Sequence, residues 1–267
     1  MHLTHTNYKE VESDCQNVPA TRFNTCFHTI EEIPAQIRAE HLKCPSEEPC
    51  SFRRWLPLIL EARNLDLNAV QIVKFTPAQA KLIIAASATS IITGEHNRAY
   101  EEDINEEIIP HLSSLKFPAE GLFMRLDHGS PKDGRQTVPG RLSLHSPNDI
   151  ILRLTTSQRA QNEMRKILEE GSPTIDLNFL PFNKRMGSKR EYRVYCAPAA
   201  GAITAGLSFD VFYDETDESS QLVELNVFDA RSGCGSCLFH WINDWEKLYG
   251  DGERVEFRVT RQTDGET

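Results

Sequence analysis

The 267-residue chain has no apolar run near 18 residues, so no segment reads as a transmembrane helix. It also lacks an excess of basic residues. Lys and Arg number 29 against 39 Asp and Glu, a formal net charge of −10, which argues against broad adsorption to nucleic acid or to an anionic membrane. A phosphate ligand remains compatible with that balance, because a few basic residues converging in one cleft suffice. There is no P-loop, no Rossmann glycine fingerprint, no legible Ser/His/Asp or Cys/His order, and no internal repeat or low-complexity tract. The start, "MHLTHTNYKEVESD", has no apolar core behind a basic region, so it is not read as a signal peptide. The seven cysteines are an odd number and are accordingly expected as reduced thiols in the cytosol.

What is present is the composition of an ordinary soluble globular protein, with 39% hydrophobic and 25% charged residues. Residues 1–45 are polar, carry Pro19, Pro34 and Pro45, and read as a flexible extension with one short helix around residues 30–42. Beyond them the pattern tightens. "AVQIVKF" (69–75) reads as a strand, followed by a helix with Thr76 as its cap and Pro77 at its first position. "EEDINEEIIPHLSSL" (101–115) reads as an acidic helix ending near its proline, and "GLFMRLD" (121–127) as a strand before the turn "SPKDG". Ser146 and Asp149 form a capping-box signature ahead of "SPNDIILRL", and a second amphipathic helix (157–171) closes at Gly171. "TIDLNFLPF" (174–182), "EYRVYCA" (191–197), "AITAGLSFDVFYD" (202–214) and "LVELNVF" (222–228) are expected as neighbouring strands of one antiparallel sheet. "CLFHWINDWEKLYG" (237–250) is expected as a helix and "RVEFRVTR" (254–261) as a last strand. The mixture predicts an α+β protein of two lobes.

Three sets of residues carry possible chemistry. Cys234 and Cys237 have thiol-redox spacing and precede the expected 237–250 helix, whose dipole would lower a thiol pKa. A zinc site needs further ligands, and no second Cys-x-x-Cys pair exists, so packing cysteines in a small-residue turn are the favoured reading. The second set is Asp210, Glu224 and Asn226. Strand alternation puts Glu224 and Asn226 on one side with Leu225 behind them, and leaves Asp210 facing away from Phe209 and Val211. Three oxygen ligands on one hairpin face suit a hard cation such as Mg²⁺ together with nucleotide phosphates, the competing reading being a solvent-facing polar strand pair. The third set is basic: Arg125 in "FMRLD", Lys132 in "SPKDG" and Arg193 in "EYRVY", any of which could meet phosphate. The run "NKRMGSKRE" (183–191) reads as a solvated basic loop.

In order along the chain, "CSFRRWLPLI", "FMRLDHGSPKDG", "SPNDIILRL", "EYRVYC", "FDVFYD" and "VELNVF…SCLFHW" resemble the cell division cycle protein 123 family over about residues 50–260. The family is eukaryotic, and fungi contain divergent members. The resemblance implies a two-lobed ATP-grasp-like fold with antiparallel sheets, residues 46–176 forming an N-terminal lobe and 177–267 a C-terminal lobe carrying the metal site. It implies ATP and Mg²⁺ bound between the lobes, a cytoplasmic location, and action as an assembly chaperone on the gamma subunit of translation initiation factor 2. Carried over by motif, Asp210, Glu224 and Asn226 match the magnesium ligands, Glu224 standing where the family commonly has Asp. Arg125 (in place of Lys), Ser130, Lys132, Asp133, Glu191 and Arg193 match nucleotide-contacting positions. The chain departs from the family at Leu180, Pro181 and Phe182, where an Arg-Lys-Trp run lies beside adenine, at Val227 in place of Pro, and in a shortened region 196–210. Two other functions stand beside the chaperone: an ATP-grasp ligase joining a carboxylate to an amine or thiol in fungal small-molecule biosynthesis, and a degenerate paralogue that keeps the fold without the nucleotide.

Overall fold

A computed structural model of the chain describes residues 2–16, 21–38, 45–187, 190–197, 206–250 and 255–261. They form two compact units, one of residues 1–50 with 191–267 and the other of residues 51–190. The division falls at Cys50/Ser51 and Arg190/Glu191.

Strand β1 (His2–Asn7) and helix α1 (Tyr8–Cys15) open the chain. Asn7 caps α1 by accepting from Lys9 N at 2.9 Å. Asp14, in the last turn, accepts from Phe23 N at 2.7 Å and from the Thr21 hydroxyl at 2.7 Å, fixing the segment that follows. Residues 1–45, read from sequence as an irregular extension, therefore contain two regular elements. The reason is a distant partner: β1 pairs in parallel with β8 (Glu256–Arg261), so nothing in its local pattern announces it. Residues 30–38 are turns where a helix was expected; 39–42 lie outside the described residues.

The second unit begins with α2 (Phe52–Ala62), whose first amides are held by Asp127: Phe52 N donates to its carbonyl and Arg53 N to its carboxylate, each at 2.9 Å. Then come β2 (Gln71–Phe75) and α3 (Pro77–Thr93), with Thr76 and Gln79 forming the capping box across the start of the helix. Helix α4 (Glu101–Glu107) stops short of Pro110, which lies in the first turn of α5 (Ile109–Leu112), as its missing N–H requires. Strand β3 (Leu122–Arg125) is followed by α6 (Pro147–Thr155), capped by Ser146, and α7 (Gln158–Glu169), capped by Ser157. Gly171 leaves α7 at φ 75°, the left-handed conformation glycine adopts without strain.

Strand β4 (Ile175–Pro181) lies between β2 and β3 in an antiparallel sheet. This corrects the expected grouping with the later strands. β4 is central and buried on both faces, Leu177 and Phe179 on one and Asn178 and Leu180 on the other, but its sequence alternates apolar and polar residues from Ile175 to Phe179 as a half-exposed strand does, which hides its central place. The core of this unit gathers Phe75, Ile83, Leu122, Ile150, Leu154 and Phe179.

In the first unit, β5 (Glu191–Cys196), β6 (Leu207–Asp214) and β7 (Ser219–Val227) make a separate antiparallel sheet in the order β5-β6-β7. Its core packs Phe228, Trp241, Ile33, Ile37 and Leu248, with Tyr249 edge-on to Phe228. The expected 237–250 helix is confined to α8 (Trp245–Leu248). Side chains in 236–244 compete for the backbone groups a helix would use: the Ser236 hydroxyl donates to the Phe239 carbonyl, His240 Nδ1 accepts from Ile242 N and Asn243 N, and Asp244 accepts from His240 N. With β8 parallel to β1, the sheets are not all antiparallel.

Candidate functional site

The β5-β6-β7 register sets Arg193 opposite Asp210, and Asp210 opposite Glu224; Ser208 stands opposite Asn226 two pairs along. Direct opposition puts these side chains on one face. Arg193 grips Asp210 with two parallel hydrogen bonds, Nε to Oδ1 at 2.6 Å and Nη2 to Oδ2 at 2.7 Å. This is the bidentate fork that a planar guanidinium makes with a carboxylate. Asn226 Nδ2 adds a third donor to Oδ2 at 3.3 Å. The register slips between Asp210 and Val211, and the added twist of such a bulge re-aims the residues beside it.

The turn Ser232–Cys237 covers this face. Gly235 presents its carbonyl to Arg193 Nη1 at 2.8 Å and to the Tyr195 hydroxyl at 3.0 Å, while Cys234 Sγ lies 3.4 Å from the Ser208 hydroxyl and 3.5 Å from Arg193 Nη1. A Cβ at 235 would meet the Asn24 side-chain amide, so a larger residue there would require Asn24 to move. Asp210 is consequently 7% exposed and Ser208 fully buried, whereas Tyr192, Val194 and Tyr213 on the opposite face are 46%, 37% and 38% exposed. The sequence placed Asp210 away from the packed layer; the structure buries it, because the turn supplies the carbonyl and sulfur partners a polar face needs. Burial opposes the charge on Arg193, but its bonds to Asp210 outweigh this and hold the guanidinium protonated. Burial pushes the Tyr195 phenol up as well.

The thiols do not have the environment of reactive cysteines. Burial raises Cys234 and Cys237, and Cys50 is pushed up to about 11 by burial and the nearby Cys234. Cys237 sits at φ 51° in the turn, well ahead of α8, so no helix N-terminus acts on it. The conspicuous cysteine pair is packing that closes over the ion pair.

The residues matched in the 51–190 unit are positioned differently. Arg125 is 4% exposed; its guanidinium lies 4.5 Å from the Phe52 ring centroid and Nε donates to the Leu126 carbonyl at 3.2 Å. Asp133 braces the start of α7, accepting from the Ser157 hydroxyl at 2.5 Å and from Arg159 N at 3.1 Å. Lys132 is exposed in the same turn, and the Ser130 hydroxyl is buried without a hydrogen-bond partner. Leu180 is 1% exposed within β4, where its role is packing. Glu191 and Glu224 are half-buried on β5 and β7. Tyr195, Ser208 and Gly235 were not singled out from sequence. Tyr195 and Ser208 each lie two residues from a nominated one, so strand alternation could have found them, whereas Gly235 carries no such signal.

The donor set does not form a cation cage as it stands. Both Asp210 oxygens accept from Arg193, and Asn226 offers Asp210 its amide nitrogen. Among the described residues no three His, Cys, Asp or Glu side chains gather where a metal could bind. No helix among them is long and apolar enough to cross a membrane.

Two units with separate sheets, one sheet bearing a buried ionic face, define a mixed α+β protein built around a covered arginine–carboxylate pair. The fold is Cdc123-like: the structure of Cdc123 from Schizosaccharomyces pombe superposes with a TM-score of 0.51 at 16% identity, covering 78% of this chain and 94% of that one. At that identity the likeness concerns the fold. No protein-family model and no curated protein matches the chain.

Proposed function

We propose that this chain is an ATP-binding assembly chaperone of the Cdc123 type, acting on the gamma subunit of translation initiation factor 2, with Mg²⁺ accompanying the nucleotide. The observation that carries the reading is the Arg193–Asp210–Asn226 cluster on adjacent strands of a Cdc123-like fold, at the positions the motif resemblance assigns to nucleotide and cation. Arg193 contributes a planar donor fork suited to phosphate oxygens, and Asp210, Glu224 and Asn226 supply the oxygens a hard cation takes. Lys132 is an exposed cation of the kind that meets phosphate oxygens. Asp133 also ties the turn that carries Ser130 and Lys132 to the start of α7 through Ser157 and Arg159 N.

The ligase reading asks for a cation free to receive an acyl phosphate. Arg193 is held by Asp210 and Gly235 in either reading and so does not distinguish the two, and no other observation favours the ligase. The chaperone reading is tested by co-purification. The tagged chain should capture the gamma subunit of translation initiation factor 2 from a mixture of the two purified proteins. A folded chain that captures none, with or without ATP and Mg²⁺, contradicts it.

A further inference from the structure

The geometry points to Arg193 as a resident counter-ion that shuts the Asp210 carboxylate to free divalent cations and yields it only when a polyphosphate takes the guanidinium. The inference rests on the nucleotide reading for the identity of the anion; the latch itself rests on the ion pair.

A carboxylate offers about four lone-pair positions. Three around Asp210 are taken: two by Arg193 at 2.6 and 2.7 Å and one by Asn226 at 3.3 Å. Every one of those partners presents N–H toward the place a cation would occupy. Both ionic side chains are covered, Arg193 15% and Asp210 10% exposed, so solvent screens their charges little. A divalent cation arriving alone would sit against a buried guanidinium and share the carboxylate that pairs with it among the described residues. A polyphosphate arriving alone would draw Arg193 off Asp210 and leave that carboxylate buried and unpaired, the costly way to break such a pair. Together the two exchange partners without leaving a bare charge. The guanidinium passes from carboxylate to phosphate oxygens of matching fork geometry, and the carboxylate passes from guanidinium to cation.

Arg193 can make this move because its other holds are neutral, the Gly235 carbonyl at 2.8 Å and Cys234 Sγ at 3.5 Å. Asn226 must turn its amide oxygen inward, which its single 3.3 Å bond to Asp210 opposes weakly. Cation and polyanion should therefore bind with positive coupling, each raising the affinity of the other by the same factor.

The test uses Mn²⁺ as the probe cation, with bound metal read from the loss of the free-ion spin-resonance signal, and ATP as the anion, read by calorimetry. Wild-type chain should take up no Mn²⁺ at this site without nucleotide at concentrations up to about 1 mM, while Mn²⁺ should tighten ATP binding by at least about ten-fold over chelator, within the usual range of site–site coupling. Arg193→Met should gain Mn²⁺ uptake without nucleotide, and Asp210→Asn added to it should remove that uptake. Arg193→Lys keeps the buried charge but reaches one carboxylate oxygen, and should show a smaller gain; it is the variant to read if Arg193→Met fails to fold. Nucleotide-free Mn²⁺ uptake by wild type that Asp210→Asn abolishes, or no gain in either Arg193 variant, overturns the latch. Failure of ATP to bind contradicts the nucleotide reading alone, because the Mn²⁺ comparison between wild type and the Arg193 variants still decides the latch.

Discussion

His128 shows how a single residue ties pH to stability in this chain. Its Nδ1 lies 3.0 Å from Glu163 on α7, its backbone amide donates to the same oxygen at 3.1 Å, and Asp127 lies 3.8 Å from Nε2. The Glu163 hydrogen bond raises the imidazole pKa above its ordinary value, against burial and Lys166. A folded pKa above the unfolded one means that the charged pair stabilises fully below about 6.5 and that this contribution is lost as pH rises through the folded value. The urea midpoint should therefore fall over that interval, and His128→Gln should flatten the fall; an unchanged slope in the variant contradicts the assignment. The sequence showed none of this, since His128 and Glu163 are 35 residues apart. It did show the alternation that puts Asp210, Glu224 and Asn226 on one face. It could not show that Arg193 faces Asp210 directly, because strand register is fixed by pairing across the sheet and by the slip at Asp210/Val211.

Among elements, those signalled locally were legible. Thr76 with Pro77, Ser146 and Gly171 mark helix ends by chemistry within a few residues of the backbone groups they satisfy, although Asp149, expected to complete a capping box with Ser146, accepts from His145 N instead. Elements defined by distant partners were not. β1 is polar and is made a strand by β8, β4 joins the earlier sheet because its two faces are both covered, and the 237–250 helix gives way to side-chain caps. The start of α7 offers a direct test of element-level bracing. Asp133 holds both the capping Ser157 hydroxyl and Arg159 N, so Asp133→Ala should lower stability by about 1–2 kcal/mol, the cost of a lost helix cap, measured by urea unfolding. A change near zero would show that water replaces the carboxylate there and that Asp133 does not hold the turn.

For the molecule as a whole, the amino-terminal 50 residues and the carboxy-terminal strands belong to one unit, while residues 51–190 form the other. Composition gave the α+β class because helical and strand periodicities both recur. The division between units did not follow, because chain order is not contact order when β1 and β8 pair across almost the whole length. The central claim is that the ionic face of the β5-β6-β7 sheet binds ATP with its cation. Calorimetric titration of ATP in the presence and absence of Mg²⁺ tests it most directly, with Asn226→Ala alongside wild type. The account predicts saturable ATP binding by wild type that Mg²⁺ strengthens and that Asn226→Ala weakens by about ten-fold or more, the loss of roughly one charge-assisted contact. Absence of binding by folded wild-type chain at millimolar ATP with Mg²⁺, or binding that Asn226→Ala leaves unchanged, would contradict it.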